Sequence, residues 1–116
     1  MKFLIISSFL PSVLNFRGKL LEAIQQQGLE IHIIAPGLTS FPAEYKKLLD
    51  LGYYVYEVPM QRTGTNPIAD LKTLGSLYSI IKTIKPDYVL SYTIKPVIYG
   101  TLAAWLAKVP CRYALI

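Results

Sequence analysis

Short apolar runs alternate along this chain with stretches whose apolar residues recur at helical spacing. Lys2 to Ser7 is a run of branched apolar residues bounded by Ser8 and Pro11, which predicts a parallel strand covered on both faces. From about Phe16 the spacing turns helical, through Leu20, Ala23 and Ile24, and stops at Gly28, a residue suited to the position just past a helix. Glu30 to Ala35 predicts the second strand, closed by Pro36-Gly37. A second helix is expected over about Pro42 to Leu51, with Tyr45, Leu48 and Leu49 inward, Lys46 and Lys47 outward, and Gly52 at its end. Tyr53 to Val58 predicts the third strand. Asn66-Pro67 then supplies an N-cap and a proline at the first helical position. The helix it opens has an apolar stripe of Ile68, Leu71, Leu74, Leu77, Tyr78, Ile81 and Ile84, opposed by Lys72, Ser76, Ser79, Lys82 and Lys85. Asp87 to Ser91 predicts the fourth strand. Pro96 opens a fourth helix, Val97 to Lys108, apolar almost all round and including Trp105; a fifth strand starts after Pro110.

Strands and helices alternating through such short connections imply an α/β fold with a parallel sheet and right-handed crossovers. The expected architecture is a single domain over residues 1–116, an open Rossmann-like sheet of strand order 3-2-1-4-5 with helices on both faces. Its topological switch point falls between strands one and four, and ligands bind there, outside the carboxyl ends of the strands. Two segments, Ser8 to Asn15 and Tyr92 to Lys95, should therefore face each other, with Gln61 to Asn66 on the same edge. The closing run Arg112-Tyr113-Ala114-Leu115-Ile116 reads as a strand about to be buried, so the chain is expected to be the front part of such a domain.

Composition narrows the function. The 116 residues are 53% hydrophobic and 16% charged, against about 25% charged in an average domain; disorder is excluded. Net charge is +5, which suits an anionic partner. The basic residues are scattered, however, and Lys46-Lys47 is the only adjacent pair, so nucleic acid is not expected. A single cysteine, Cys111, fits a reducing compartment. No small-residue cleavage site follows the apolar start, and no segment reaches the ~18 apolar residues that span a bilayer. The expectation is a cytoplasmic protein, placed if anywhere at the inner face of the membrane, with peripheral contact through Lys46 and Lys47.

Neither G-x-G-x-x-G nor G-x-x-x-x-G-K follows the first strand, which turns through Ser7-Ser8-Phe9-Leu10-Pro11-Ser12. The second strand ends in Ala35-Pro36-Gly37, without an acidic residue for a ribose. No bound cofactor and no metal are therefore expected. Two segments carry positive signals. Asn15-Phe16-Arg17-Gly18 stands at the expected start of the first helix, where free N–H groups and the helix dipole favour an anion. Thr93-Ile94-Lys95-Pro96 stands at the start of the fourth, so Arg17 and Lys95 are expected to converge on a phosphate or diphosphate. Arg62, in Gln61-Arg62-Thr63-Gly64-Thr65-Asn66, is a third candidate. His32, between Ile31 and Ile33, is expected to be core. As the only histidine it leaves no expected nucleophile–His–acid set.

Four ordered segments carry a resemblance: Ser7-Ser8-Phe9, Asn15-Phe16-Arg17-Gly18, Gln61-Arg62-Thr63-Gly64-x-Asn66-Pro67, and Ser91-Tyr92-Thr93-Ile94-Lys95-Pro96-x-x-Tyr99-Gly100. With them the chain resembles the N-terminal, acceptor-side domain of bacterial family-4-type GT-B glycosyltransferases of capsule, O-antigen and lipid-linked glycan synthesis. The resemblance implies a retaining, metal-independent transfer from a nucleotide sugar to a lipid-linked or saccharide acceptor. Asn15, Arg17, Gly18, Arg62, Thr93 and Lys95 would lie on the acceptor side. It also implies a separate donor-binding domain, which would carry an E-x7-E element and bind the nucleotide sugar. Glu22 and Glu30 have that spacing, but they straddle Gly28 and are read as a chance match. With no donor domain in these residues, the chain alone is expected to be inactive and to need a C-terminal domain or partner chain. The alternatives are a non-catalytic membrane-docking subunit of a split transferase and part of a GT-B-fold sugar-nucleotide epimerase.

Overall fold

The computed structural model describes residues 1–58, 67–92 and 96–115, the side chains of residues 14–17, 67–70, 96, 114 and 115 excepted. Five strands, β1 (Lys2–Ile6), β2 (Glu30–Ala35), β3 (Tyr54–Glu57), β4 (Tyr88–Tyr92) and β5 (Cys111–Leu115), form one sheet. Its order is β3-β2-β1-β4-β5, and all four pairings are parallel. The expected topology is thus the observed one.

Helices α1 (Leu10–Gln26) and α2 (Pro42–Asp50) cover one face, and α3 (Pro67–Ile84) and α4 (Thr101–Leu106) the other. Phe3, Ile5, Ile31 and Ile33 pack on the first face with Leu10, Val13, Leu21 and Leu48. Leu4, Ile6, Ile34 and Val89 pack on the second with Leu77, Ile81, Ala103 and Ala104. Successive strand residues point to opposite faces, so β1 must be apolar at every position from Phe3 to Ile6; Leu4, Ile5 and Ile6 are each 0% exposed. At the amino ends of the strands Lys2 N–H donates to Asp87 Oδ2 at 2.9 Å, Asp87 N–H donates to Lys2 O at 2.9 Å, and Lys2 Nζ donates to Ile84 O at 3.1 Å. Gly28 (φ +90°) and Gly52 (φ +87°) take the left-handed conformation that ends α1 and α2.

Several local expectations are corrected. The first helix begins at Leu10, six residues before the helical spacing near Phe16. Pro11 does not delay it, because a proline in the first turn gives up an N–H that has no intrahelical partner, and Leu10 and Val13 are both fully buried. In α3 the buried line runs Thr73, Leu77, Ile81, Ile84, leaving Leu71 69% exposed; Thr73 takes the inward place that hydropathy gave to the leucine. The fourth helix opens as a π turn over Pro96–Gly100 before α4. On its outer side Trp105 is exposed, as is Leu49 on α2. A 3-10 turn at Leu38–Ser40, which spacing did not predict, tucks Leu38 into the core.

Candidate functional site at the switch point between β1 and β4

The carboxyl ends of β1 and β4 stand side by side, with Ile6 paired to Ser91. Ser7 continues β1 and is buried; its N–H donates to Ile34 O at 2.9 Å. The chain then turns sharply. Phe9 N–H donates to Ser7 Oγ at 3.1 Å, and Ser7 Oγ and Ser12 Oγ donate to Phe9 O at 3.0 and 2.7 Å. These bonds set α1 on the end of β1 although Phe9, its N-cap, makes no side-chain cap bond. With the Ser12 proton directed at Phe9, the Tyr92 hydroxyl donates to Ser12 Oγ at 2.7 Å. That contact joins the end of β4 to the start of α1, so the segments Ser8 to Asn15 and Tyr92 to Lys95 do meet, at Ser12 and Tyr92.

On the other side of β4, Ser91 is 0% exposed and its Oγ has no hydrogen-bond partner among the described residues. The backbone of Gly100, last residue of the π turn, lies over it: a Cβ on Gly100 would stand 2.8 Å from Ser91 Oγ. Both Gly100 and the Ser12–Tyr92 pair sit where β1 and β4, neighbours in the middle of the sheet, are followed by helices on opposite faces, the switch point at which folds of this kind form a crevice.

The candidate residues fall as follows. Asn15, Arg17 and Gly18 lie in the second and third turns of α1, not at its amino end. Their backbone N–H groups belong to the helix interior, so the expected anion-binding amides are not at these positions; that end of the helix is at Phe9 and Leu10. The side chains of Asn15 and Arg17, and all of Arg62, Thr93 and Lys95, lie outside the described residues. An added Cβ on Gly18 would meet no atom within 4 Å. Lys46 and Lys47 are exposed on α2. Among the described residues no group of three or more His, Cys, Asp or Glu could hold a metal ion.

His32 is buried as expected, but it is not merely packed. Its Nε2–H donates to Glu30 Oε1 at 2.6 Å, and the Tyr56 hydroxyl donates to Nδ1 at 3.0 Å. A hydroxyl–His–carboxylate array that the spacing did not reveal is thus assembled by the pairing of β2 with β3. It is not poised for nucleophilic chemistry. Burial lowers the His32 pKa below its usual value and raises that of Tyr56, whereas an activated nucleophile needs a depressed one. Sequence reasoning missed this array and the Ser12–Tyr92 contact because both depend on how side chains meet across neighbouring elements, which spacing along the chain does not record.

A parallel sheet in this order, with its crevice between β1 and β4, is a Rossmann-like α/β domain of the ligand-binding kind. The chain belongs to the glycosyl transferase 4-like family, whose model matches residues 9–114. It is 33% identical over 106 residues to the N,N'-diacetylbacillosaminyl-diphospho-undecaprenol alpha-1,3-N-acetylgalactosaminyltransferase of Campylobacter jejuni, covering 90% of this chain and 27% of that protein. It is 40% identical over 63 residues to the UDP-Gal:alpha-D-GlcNAc-diphosphoundecaprenol alpha-1,3-galactosyltransferase of Escherichia coli, covering 54% of this chain and 16% of that one. The chain thus spans about a quarter or less of these relatives. Among solved structures, MurG of Acinetobacter baumannii superposes with a TM-score of 0.71 at 22% identity, over 98% of this chain and 34% of its own. The UDP-GlcNAc 2-epimerase of Methanocaldococcus jannaschii gives 0.67 at 21% identity, over 96% and 30%. At such identities these two show the fold alone.

Proposed function

We propose that this chain is the acceptor-side domain of a retaining glycosyltransferase that moves a sugar from a nucleotide sugar to a lipid-linked diphosphate acceptor. One observation carries the reading: the two curated relatives, matched by sequence, both bear a diphospho-undecaprenol acceptor in their names. The epimerase alternative rests on shared fold only and lacks that support. In the proposed arrangement the acceptor enters the crevice between β1 and β4, and its diphosphate is met by Arg17 and Lys95, assisted by Thr93, Asn15 and the small Gly18. Arg62 approaches from the loop before α3. A donor-binding domain or partner chain supplies the nucleotide-sugar site. Lys46 and Lys47, exposed on α2, give peripheral contact with an anionic membrane at the cytoplasmic face. No helix among the described residues is long and apolar enough to cross a membrane.

The test is transfer of labelled sugar from a nucleotide sugar to an undecaprenyl-diphosphate-linked saccharide, by the protein combined with its donor-binding partner. Charge-assisted bonds contribute roughly 1.5–3 kcal/mol each, so Arg17→Ala or Lys95→Ala should weaken the acceptor about tenfold or more and leave donor affinity nearly unchanged. Acceptor KM unchanged in both variants would remove these residues from the site.

A further inference from the structure

Gly100 is buried at the junction of the π turn with α4, and its φ of −66° is one that any residue adopts. Space alone demands glycine here. A Cβ would stand 2.8 Å from Ser91 Oγ and 2.9 Å from Ile6 Cδ1, closer than side chains pack. Ser91 and Ile6 are register partners at the ends of β4 and β1, so the turn rests directly on the two strands that form the crevice. Among the described residues the hydroxyl beneath, fully buried, has no partner, and neither has the buried hydroxyl of the next residue of the helix, Thr101. Unpaired buried polar groups are costly and uncommon in native structures, and π turns concentrate at functional sites. An alanine at position 91 would avoid the first penalty. On the other flank Tyr92 is tied to Ser12 at 2.7 Å. The chain is thus anchored to the crevice on both sides, at Tyr92 and at Gly100.

We infer that Ser91 and Gly100 are positioning residues: their close approach fixes where the π turn stands over the β1–β4 crevice, and so the geometry with which the crevice meets its ligand. The identity of that ligand, a prenyl diphosphate, rests on the proposed acceptor-side reading; the positioning rests on the packing. Neither residue touches the ligand.

The test combines amide NMR of the folded chain, thermal unfolding, and titration with farnesyl diphosphate and inorganic diphosphate. Gly100→Ala should shift the amides of Tyr92 and of Val97 to Thr101, and weaken farnesyl diphosphate about tenfold or more, since misplacement by about an ångström has effects of this size. Adding Ser91→Gly to Gly100→Ala should restore both shifts and affinity, leaving only the flexible tip of Ile6 to yield. Ser91→Thr, which crowds the same contact from the strand, should reproduce the loss if Gly100→Ala does not fold. The inference is overturned if folded Gly100→Ala or Ser91→Thr binds like the wild type. It is equally overturned if the double variant regains thermal stability but not affinity. Were the wild type to bind neither diphosphate while the amide shifts and their rescue appear as described, the acceptor reading would fail and the positioning of the turn would stand.

Discussion

Acidification from about pH 7.5 to about pH 5 should destabilise the chain through one buried imidazole. His32 is 3% exposed and enclosed by the near-parallel rings of Tyr54 and Tyr56, at centroid distances of 4.8 and 5.8 Å. Burial is the largest influence on it and lowers its pKa below 6.5; the Glu30 hydrogen bond and charge oppose this, and the charge of Lys2 adds to it. A second proton would go to Nδ1, where Tyr56 now donates, so that hydroxyl would have to turn and accept. The sign follows from proton counting. At pH above the unfolded pKa of about 6.5 His32 is neutral in both states and its contribution is complete. Between that value and the lower folded pKa the unfolded chain binds more protons, so stability falls as the pH falls. The slope for one group is at most about 1.4 kcal/mol per pH unit, and the loss ends below the folded pKa. Glu30→Gln removes the carboxylate charge that raises the pKa while keeping an oxygen that accepts from Nε2–H, and should extend the loss to lower pH. His32→Gln should remove this component altogether. Urea unfolding followed by far-UV circular dichroism at several pH values measures it, as the shift in midpoint at constant m. Parallel pH profiles for the wild type and His32→Gln over this interval would refute the reasoning.

Two further outcomes test the packing. Leu77→Ala, at a fully buried site on α3, should cost about 2–5 kcal/mol, while Leu71→Ala, 69% exposed on the same helix, should stay within about 0.5 kcal/mol; equal losses in chemical unfolding would mean that the inward face of α3 is misplaced. Gly28→Ala, forced to φ +90°, should cost about 1–2 kcal/mol, whereas Gly18→Ala, inside α1 with open space around an added Cβ, should raise stability by about 0.5–1 kcal/mol; the same measurement distinguishes them by sign.

Much of the architecture was written locally. β1 can be apolar at every position from Phe3 to Ile6 only if both of its faces are covered, and that pattern, with Gly28, Gly52 and Pro86 as stops, specifies alternating strands and helices. Short connections and right-handed crossovers then allow few sheet orders, which is why β3-β2-β1-β4-β5 and the meeting of the first and fourth strand ends were legible. The start of α1 was not, because Pro11 reads as a loop residue until the burial of Leu10 and Val13 shows that the first turn is packed. The inward face of α3 was not either, since hydropathy ranks Leu71 above Thr73 and only the position of the sheet decides between them.

The sequence by itself determined the element order, the parallel sheet, its switch point and the segments brought there, because hydrophobic period, turn residues and connection length are local properties. Only the tertiary structure decided which side chains meet across those elements. Ser12 and Tyr92 are 80 residues apart in the chain, and His32 finds Tyr56 only through the register of β2 on β3. Gly100 needs to be glycine because of Ser91 and Ile6, one on its own side of the crossover and the other at the far end of the chain. Hydrogen bonds and close contacts act over about 3 Å, so they are fixed by the placement of whole elements against one another, and no periodicity along the chain records that placement.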